Sequence, residues 1–134
     1  MASLNAFLKP VKVENKEVIV SDRFQEDGKP VPFIIRPITQ EENQELLKKH
    51  TKKNKKTGEE TMDRVAYNHD LAATAVVFPP LENAELQKAN GTLGAAKTLA
   101  AMLYIGEFAI LFAEVQKISG LDVDINDEIE EAKN

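Results

Sequence analysis

The 134-residue chain is 43% hydrophobic and 29% charged, enough apolar side chain for one buried core and too little length for two. It has no cysteine, which excludes disulfides, zinc–thiolate sites, iron–sulfur clusters and thiol catalysis. The N-terminus lacks the apolar region of a secretory signal, and no apolar run is long enough to cross a bilayer, so the expected location is the cytoplasm, with no membrane partner. The net charge of -5 is segregated: residues 48–56 hold six lysines and no acid, leaving 11 basic against 22 acidic residues elsewhere. The expected organisation is a single α+β domain over residues 1–121, an N-terminal antiparallel β-hairpin (about 17–36) followed by a mostly helical body of four to five helices. An acidic tail, 122–134, follows.

In chain order, Leu4, Phe7 and Leu8 predict about one helical turn, with Ser3 as a possible N-cap and Pro10 ending it: a short docking segment at most. Residues 18–36 read as two apolar strand runs around Asp27-Gly28, a pair suited to a type I′ turn. That turn sets Phe24 opposite Val31, Asp22 opposite Phe33 and Val20 opposite Ile35. Val18, Val20, Phe24, Val31, Phe33 and Ile35 then share a face, with Asp22 as an intruder, while Ile19, Ser21, Arg23, Pro32, Ile34 and Arg36 take the other. Pro30 and Pro32 fall where the N–H points away from the partner strand. With Pro37 they are expected to seal the outer margin of the second strand and leave only the first strand, residues 17–24, with an open edge.

Thr39-x-x-Glu42 is a capping box, predicting a surface helix over residues 40–50. The run KKHTKKNKKTGEE reads as a solvated, mobile loop. Tyr67, Leu71, Ala75 and Phe78 predict a core helix ended by Pro79-Pro80, and Asn83 and Gly91 bracket a short helix over residues 84–89. Leu93, Ala96, Leu99, Ala100 and Leu103, then Phe108, Leu111, Phe112, Val115 and Ile118, give two apolar stripes on either side of Gly106, expected to supply most of the core. Ile105, Ala109 and Ile110 widen the apolar surface beyond one buried face, and some of it is expected to be intermolecular.

No phosphate-binding glycine loop, H-E-x-x-H, G-x-S-x-G or EF-hand pattern is present, and the two histidines, His50 and His69, are not spaced as a metal pair. No catalytic, metal or cofactor residue is therefore assigned, and the chain is read as a non-enzyme. The lysines Lys52, Lys53, Lys55 and Lys56 could screen a phosphate backbone, but no aromatic residue interleaves them for base stacking and the rest of the chain is acidic. They fit a solvated loop or an electrostatic contact with an acidic protein surface, such as the chain's own tail in a neighbour, better than nucleic acid.

The ordered set LNAFLKPVK, EVIVSDRF, DGKPVPFIIRPITQEEN, YN at Tyr67-Asn68, NAELQKANG, GEF and VQKISG resembles the XkdN-like phage tail assembly chaperones of Gram-positive bacteria and their prophages. The likeness runs from about Leu4 to Leu121. It departs at Tyr104-Ile105-Gly106-Glu107, where the family pattern has Leu-Pro-Gly-Glu; without the proline, the last two helices are free to run on as one bent helix. The resemblance implies a non-enzymatic assembly role, with the phage tape-measure protein and tail-tube protein as partners. Combined with the one-sided hairpin, it assigns partner binding or self-association to Val18, Ile19, Val20, Ser21, Arg23, Phe24, Phe33 and Ile35. A structural tail or connector subunit is the alternative, and a small nucleic-acid-binding factor a more distant one.

Overall fold

The register of the hairpin is set at its tip. In the computed structural model, which describes residues 2–121, Asp27 (φ 53°) and Gly28 (φ 76°) both occupy the left-handed region that a type I′ turn requires. Around them β2 (Gln25–Glu26) pairs with β3 (Lys29–Pro30), Glu26 opposite Lys29 and Gln25 opposite Pro30. The Val31 N–H donates to the Phe24 carbonyl at 2.7 Å, as the expected register demands. The acidic tail, 122–134, lies outside the described residues.

Beyond the tip the register departs from expectation. Strand β1 (Lys16–Val18) pairs with β4 (Phe33–Ile35), Val18 opposite Phe33 and Lys16 opposite Ile35, a slip of four residues from the simple hairpin. The expected pairs Asp22–Phe33 and Val20–Ile35 do not form. Residues 19–24 instead make an excursion opposite Val31 and Pro32, turned by the Ser21 hydroxyl, which accepts the Arg23 N–H at 3.0 Å. The physical reason is Asp22: the unslipped ladder would place its carboxylate on the core face beside Phe33, and the excursion leaves it exposed. Because the slip is even, the side chains keep their faces, and Val18, Val20, Phe33 and Ile35 remain inward.

The expected proline seal is corrected. Strand β4 is not an edge: a third strand, β7 (Val76–Phe78), pairs with its other side, giving the order β1-β4-β7. Pro32 and Pro37 bracket β4 rather than occupy it, so the amides of its three residues are free to pair, and Pro30 lies in the tip ribbon. The core helix accordingly stops early. Helix α3 (Arg64–Ala75) ends where Val76, Val77 and Phe78, β-branched or aromatic residues leading into Pro79, take extended backbone.

The lysine-rich run is a ribbon, not a structureless loop: β5 (Thr51–Lys53) pairs with β6 (Glu60–Met62). Its turn is closed by Asn54, whose side-chain oxygen accepts the Lys56 N–H at 2.9 Å. Helix α2 (Gln40–Lys49) has the expected capping box, the Thr39 hydroxyl accepting the Glu42 N–H at 3.1 Å and the Glu42 carboxylate accepting the Thr39 N–H at 3.1 Å. Helix α4 (Ala84–Asn90) starts at Asn83 and ends on Gly91 in the left-handed conformation. Helices α5 (Ala95–Met102) and α6 (Ile105–Ile118) are separate: Leu103 and Tyr104 are extended, and Glu107 caps α6 by accepting the Tyr104 N–H at 2.8 Å.

The core lies between the inner face of the β1-β4-β7 sheet and helices α3, α5 and α6. Ile35, Ala72, Ala75, Leu99 and Leu111 are fully buried in it. Thr98, the one buried polar residue among those described, donates to the Gly94 carbonyl at 2.8 Å and lies 2.7 Å from the Thr92 hydroxyl, so its burial leaves no polar atom unpaired. Before β1 runs an arm: a single turn, α1 (Asn5–Leu8), then extended chain, with every residue from 2 to 17 exposed.

Candidate interaction surfaces

The residues assigned to partner binding separate into two groups. Val18, Val20, Phe33 and Ile35 are at most 6% exposed and pack in the chain's own core, so the apolar hairpin face is covered from within by the helices. This corrects the reading of that face as a docking surface. Ile19, Ser21, Arg23 and Phe24 lie together in the excursion at the surface or partly buried.

Alternation along the sheet determines what is left outside. With Phe33 and Ile35 inward, Ile34 turns to the opposite face, flanked by its pairing partners Glu17 in β1 and Phe78 in β7. Ile19, 56% exposed, and Phe78, 44% exposed, make with half-buried Ile34 a small apolar outer face. On one side of this face β1 has no strand beside it among the described residues. On the other, β7 runs into Pro79 and Pro80, which have no N–H to offer. The open edge is thus on β1, over Lys16–Val18 rather than the whole of residues 17–24, and β7, the other edge strand, stops at two prolines that cannot extend it. Val-Val-Phe before Pro-Pro was the signal for that strand.

The excursion is fixed by Arg23. Its Nε and Nη2 donate to Glu107 at 2.8 and 2.5 Å, Nη2 also donates to the Met102 carbonyl at 2.9 Å, and the guanidinium stacks 4.2 Å from the Tyr104 ring centre. The Arg23 hydrogen bonds hold the Glu107 carboxyl down at about 2. Lys16 bonds Glu114 at 2.5 Å, tying β1 to α6.

The base of the lysine ribbon is anchored to α3. Lys49 Nζ and His50 Nε2 each lie 2.8 Å from Asp70 Oδ2, and the Asp63 N–H donates to the His50 carbonyl at 2.8 Å. Burial alone would raise the Asp70 carboxyl, but the bonds from Lys49 and His50 outweigh it and keep it below its ordinary value. Lys52, Lys53, Lys55 and Lys56 are exposed, with Glu60 opposite Lys53. His69 is partly buried with its ring 4.7 Å from that of Phe108, an apolar packing role.

A groove runs along α3, α5 and the start of α6. Two cavities of 610 and 390 Å³ meet at His69 and Ala100, and their walls carry Val65, Leu93, Tyr104 and Ile105, all prominently exposed. Ile105 was legible as surplus apolar surface; Leu93, expected in a core stripe, is 84% exposed instead.

Among the described residues no three His, Asp or Glu side chains cluster as a metal site, and no helix is long and apolar enough to cross a membrane. Among the described residues the surface carries an unpaired strand edge, a cationic ribbon and an apolar groove. Residues 4–133 match the family model of the phage XkdN-like tail assembly chaperone protein, and the chain belongs to that family. It is 30% identical over 131 residues to the phage-like element PBSX protein XkdN of Bacillus subtilis, covering 94% of this chain and 88% of that one. It is 31% identical over 129 residues to YqbN of the same organism, covering 92% and 87% of the two chains. The crystal structure of YqbN superposes with a TM-score of 0.75 at 26% identity, over 91% of this chain and 99% of that chain.

Proposed function

We propose that the protein acts in the host cytoplasm as a non-enzymatic chaperone for the tape-measure protein of a phage tail, protecting this long client until tail-tube subunits assemble around it. The observation that carries the reading is the free edge of β1 beside the apolar outer face of Ile19, Ile34 and Phe78. An extended client segment can add to that edge by main-chain hydrogen bonds while its side chains rest on the apolar face. One such contact is weak. Many copies along one client multiply it, because each bound copy raises the effective concentration of the next site. Self-association through the hairpin competes for the same edge, and the experiment separates the two.

The tape-measure protein is produced with the wild-type chain or with Ile19→Pro, which removes an N–H beside the open edge. The wild type is expected to keep the client soluble, and the variant to lose about tenfold in client affinity, the loss of roughly 1.4 kcal/mol of contact. Light scattering of each chain alone reports self-association. Undiminished client solubility with Ile19→Pro removes the edge as client site. Purified phage particles are expected to lack the protein; its presence there in stoichiometric amount makes it a tail or connector subunit instead.

A further inference from the structure

The N-terminal arm is a helix without a reason to fold. Helix α1 has four residues, and a single turn fixes several backbone angles for one or two hydrogen bonds, so in water it depends on packing. The described residues of its own chain supply little. Leu4, Phe7 and Leu8, at i, i+3 and i+4, form one apolar stripe, and Val11 and Val13 follow on extended backbone, yet all five are well over half exposed. Such a run of uncovered apolar side chains marks a surface that is completed by another molecule.

We propose that the arm of one copy occupies the α3–α5–α6 groove of a second copy. Among the described residues each chain carries one apolar arm and one open apolar groove, so the two are present in equal number. The groove walls provide Val65, Leu93, Ala96, Ala100, Tyr104 and Ile105, and its 610 and 390 Å³ cavities form one trough, of the size that a row of Leu and Phe side chains fills. Charge agrees. The arm, residues 2–15, carries Lys9 and Lys12 against the single acid Glu14. The larger cavity is lined by Asp63, Asp70 and Glu82 against Lys49 and Lys97, and Glu82 is exposed with no side-chain bond among the described residues. Residues 9–15, extended, reach about 23 Å, enough to carry α1 across to a neighbour. The contact joins two different patches, so it either closes by reciprocal exchange or propagates head to tail.

Two experiments on the full chain test this. The native sequence has no cysteine, so Phe7→Cys and Ala100→Cys are made in separate preparations, mixed and oxidised. A covalent dimer from the mixture is expected, well above that from Phe7→Cys mixed with Glu26→Cys at the hairpin tip. In sedimentation equilibrium the wild type is expected to associate as concentration rises. The triple variant Leu4→Ser, Phe7→Ser, Leu8→Ser and the groove variant Ile105→Glu each lose association by about tenfold or more, and mixing the two restores a dimer held by the one intact contact. No arm residue is buried within its own chain, so at concentrations where both are monomeric the arm variant keeps the wild-type melting temperature. A wild-type chain still monomeric at about 1 mM, where even weak contacts are populated, overturns the proposal. So does closure of the Phe7→Cys, Ala100→Cys double variant within a single chain, or association that the arm variant leaves unchanged. None of these readouts involves the client, so they stand apart from the chaperone reading.

Discussion

Arg23 and Glu107, 84 positions apart in sequence, form a two-pronged ion pair with Nε–Oε2 at 2.8 Å and Nη2–Oε1 at 2.5 Å. The pair joins the excursion that breaks the hairpin to the junction between α5 and α6, and the same carboxylate caps α6 through the Tyr104 N–H. Glu107 therefore sets both the helix start and the position of residues 19–24. Reversing the charge with Arg23→Glu is expected to speed amide exchange in the excursion and lower the melting temperature. The double reversal with Glu107→Arg recovers part of the loss, but not the cap. A double-mutant cycle measured by denaturant unfolding gives the coupling; zero coupling would show the pair to be without effect.

Acid should loosen this pair and a second one, Arg36 with Glu42, in which arginine likewise holds a carboxylate. The Arg36 hydrogen bonds, at 3.0 and 2.6 Å, lower the Glu42 carboxyl from 4.5 to about 2, and those of Arg23 do the same for Glu107. A carboxyl depressed in the folded state binds protons more readily when unfolded, so stability rises with pH across this interval. The contribution is complete above about pH 5 and disappears as the pH falls from about 4.5 to about 2. Urea unfolding at steps through this window is expected to show a fall in midpoint that is shallower in Arg23→Gln and Arg36→Gln. Equal slopes in all three proteins would contradict the assignment.

Local chemistry made much of this fold readable. Asp27-Gly28, the Thr39–Glu42 box, Asn83 with Gly91, and the stripe through Leu111 act within a few residues, and each appears where the sequence places it, whereas the stripe through Leu99 keeps Leu99 and Leu103 in the core but leaves Leu93 and Ala100 exposed. The lysine ribbon was missed although its pairing is local, but the other failures share a cause: they depend on what lies across the fold. The excursion at residues 19–24 arises because a ladder with Asp22 facing the core would cost more than it gains, and that comparison needs the helices in place. Val76, Val77 and Phe78 continue a helical pattern by periodicity, and become a strand because β4 offers them a free edge. The surface residues of the hairpin were assigned to the right region but mixed with its core, since partner-binding and core-forming apolar residues look alike until the covering helices are known.

Two apolar residues of α6 should respond in opposite ways to truncation. Leu111 is completely buried against the sheet and neighbouring helices, so Leu111→Ala is expected to cost about 2–5 kcal/mol in unfolding free energy. Ile105 is 92% exposed, and Ile105→Ala should change stability by no more than about 0.5 kcal/mol. Thermal and urea unfolding of both variants check this. A large loss at Ile105 would mean that it packs within its own chain, and would remove it from any intermolecular groove.

The lysine ribbon offers a separation of stability from binding. Lys52, Lys53, Lys55 and Lys56 are exposed on β5 and the turn beyond it, while the ribbon's attachment to the body runs through Lys49, His50 and Asp70. Replacing the four lysines by glutamine removes four charges without touching that anchor, and exposed charges of this kind contribute little to folding. The unfolding midpoint is expected to stay within the range of ordinary surface substitutions, about 0.5 kcal/mol. Client binding should respond differently if the ribbon meets an acidic protein surface. Wild-type affinity then falls as salt shortens the screening length from about 10 Å at 0.1 M to about 3 Å at 1 M, and the variant's affinity is lower and flatter across the series. Titrations of client binding at these ionic strengths decide the matter: parallel salt dependences for the two chains would leave the ribbon as a solvated projection. Retention of DNA or RNA by the wild type alone, at about 0.15 M salt, would instead assign it to a phosphate backbone.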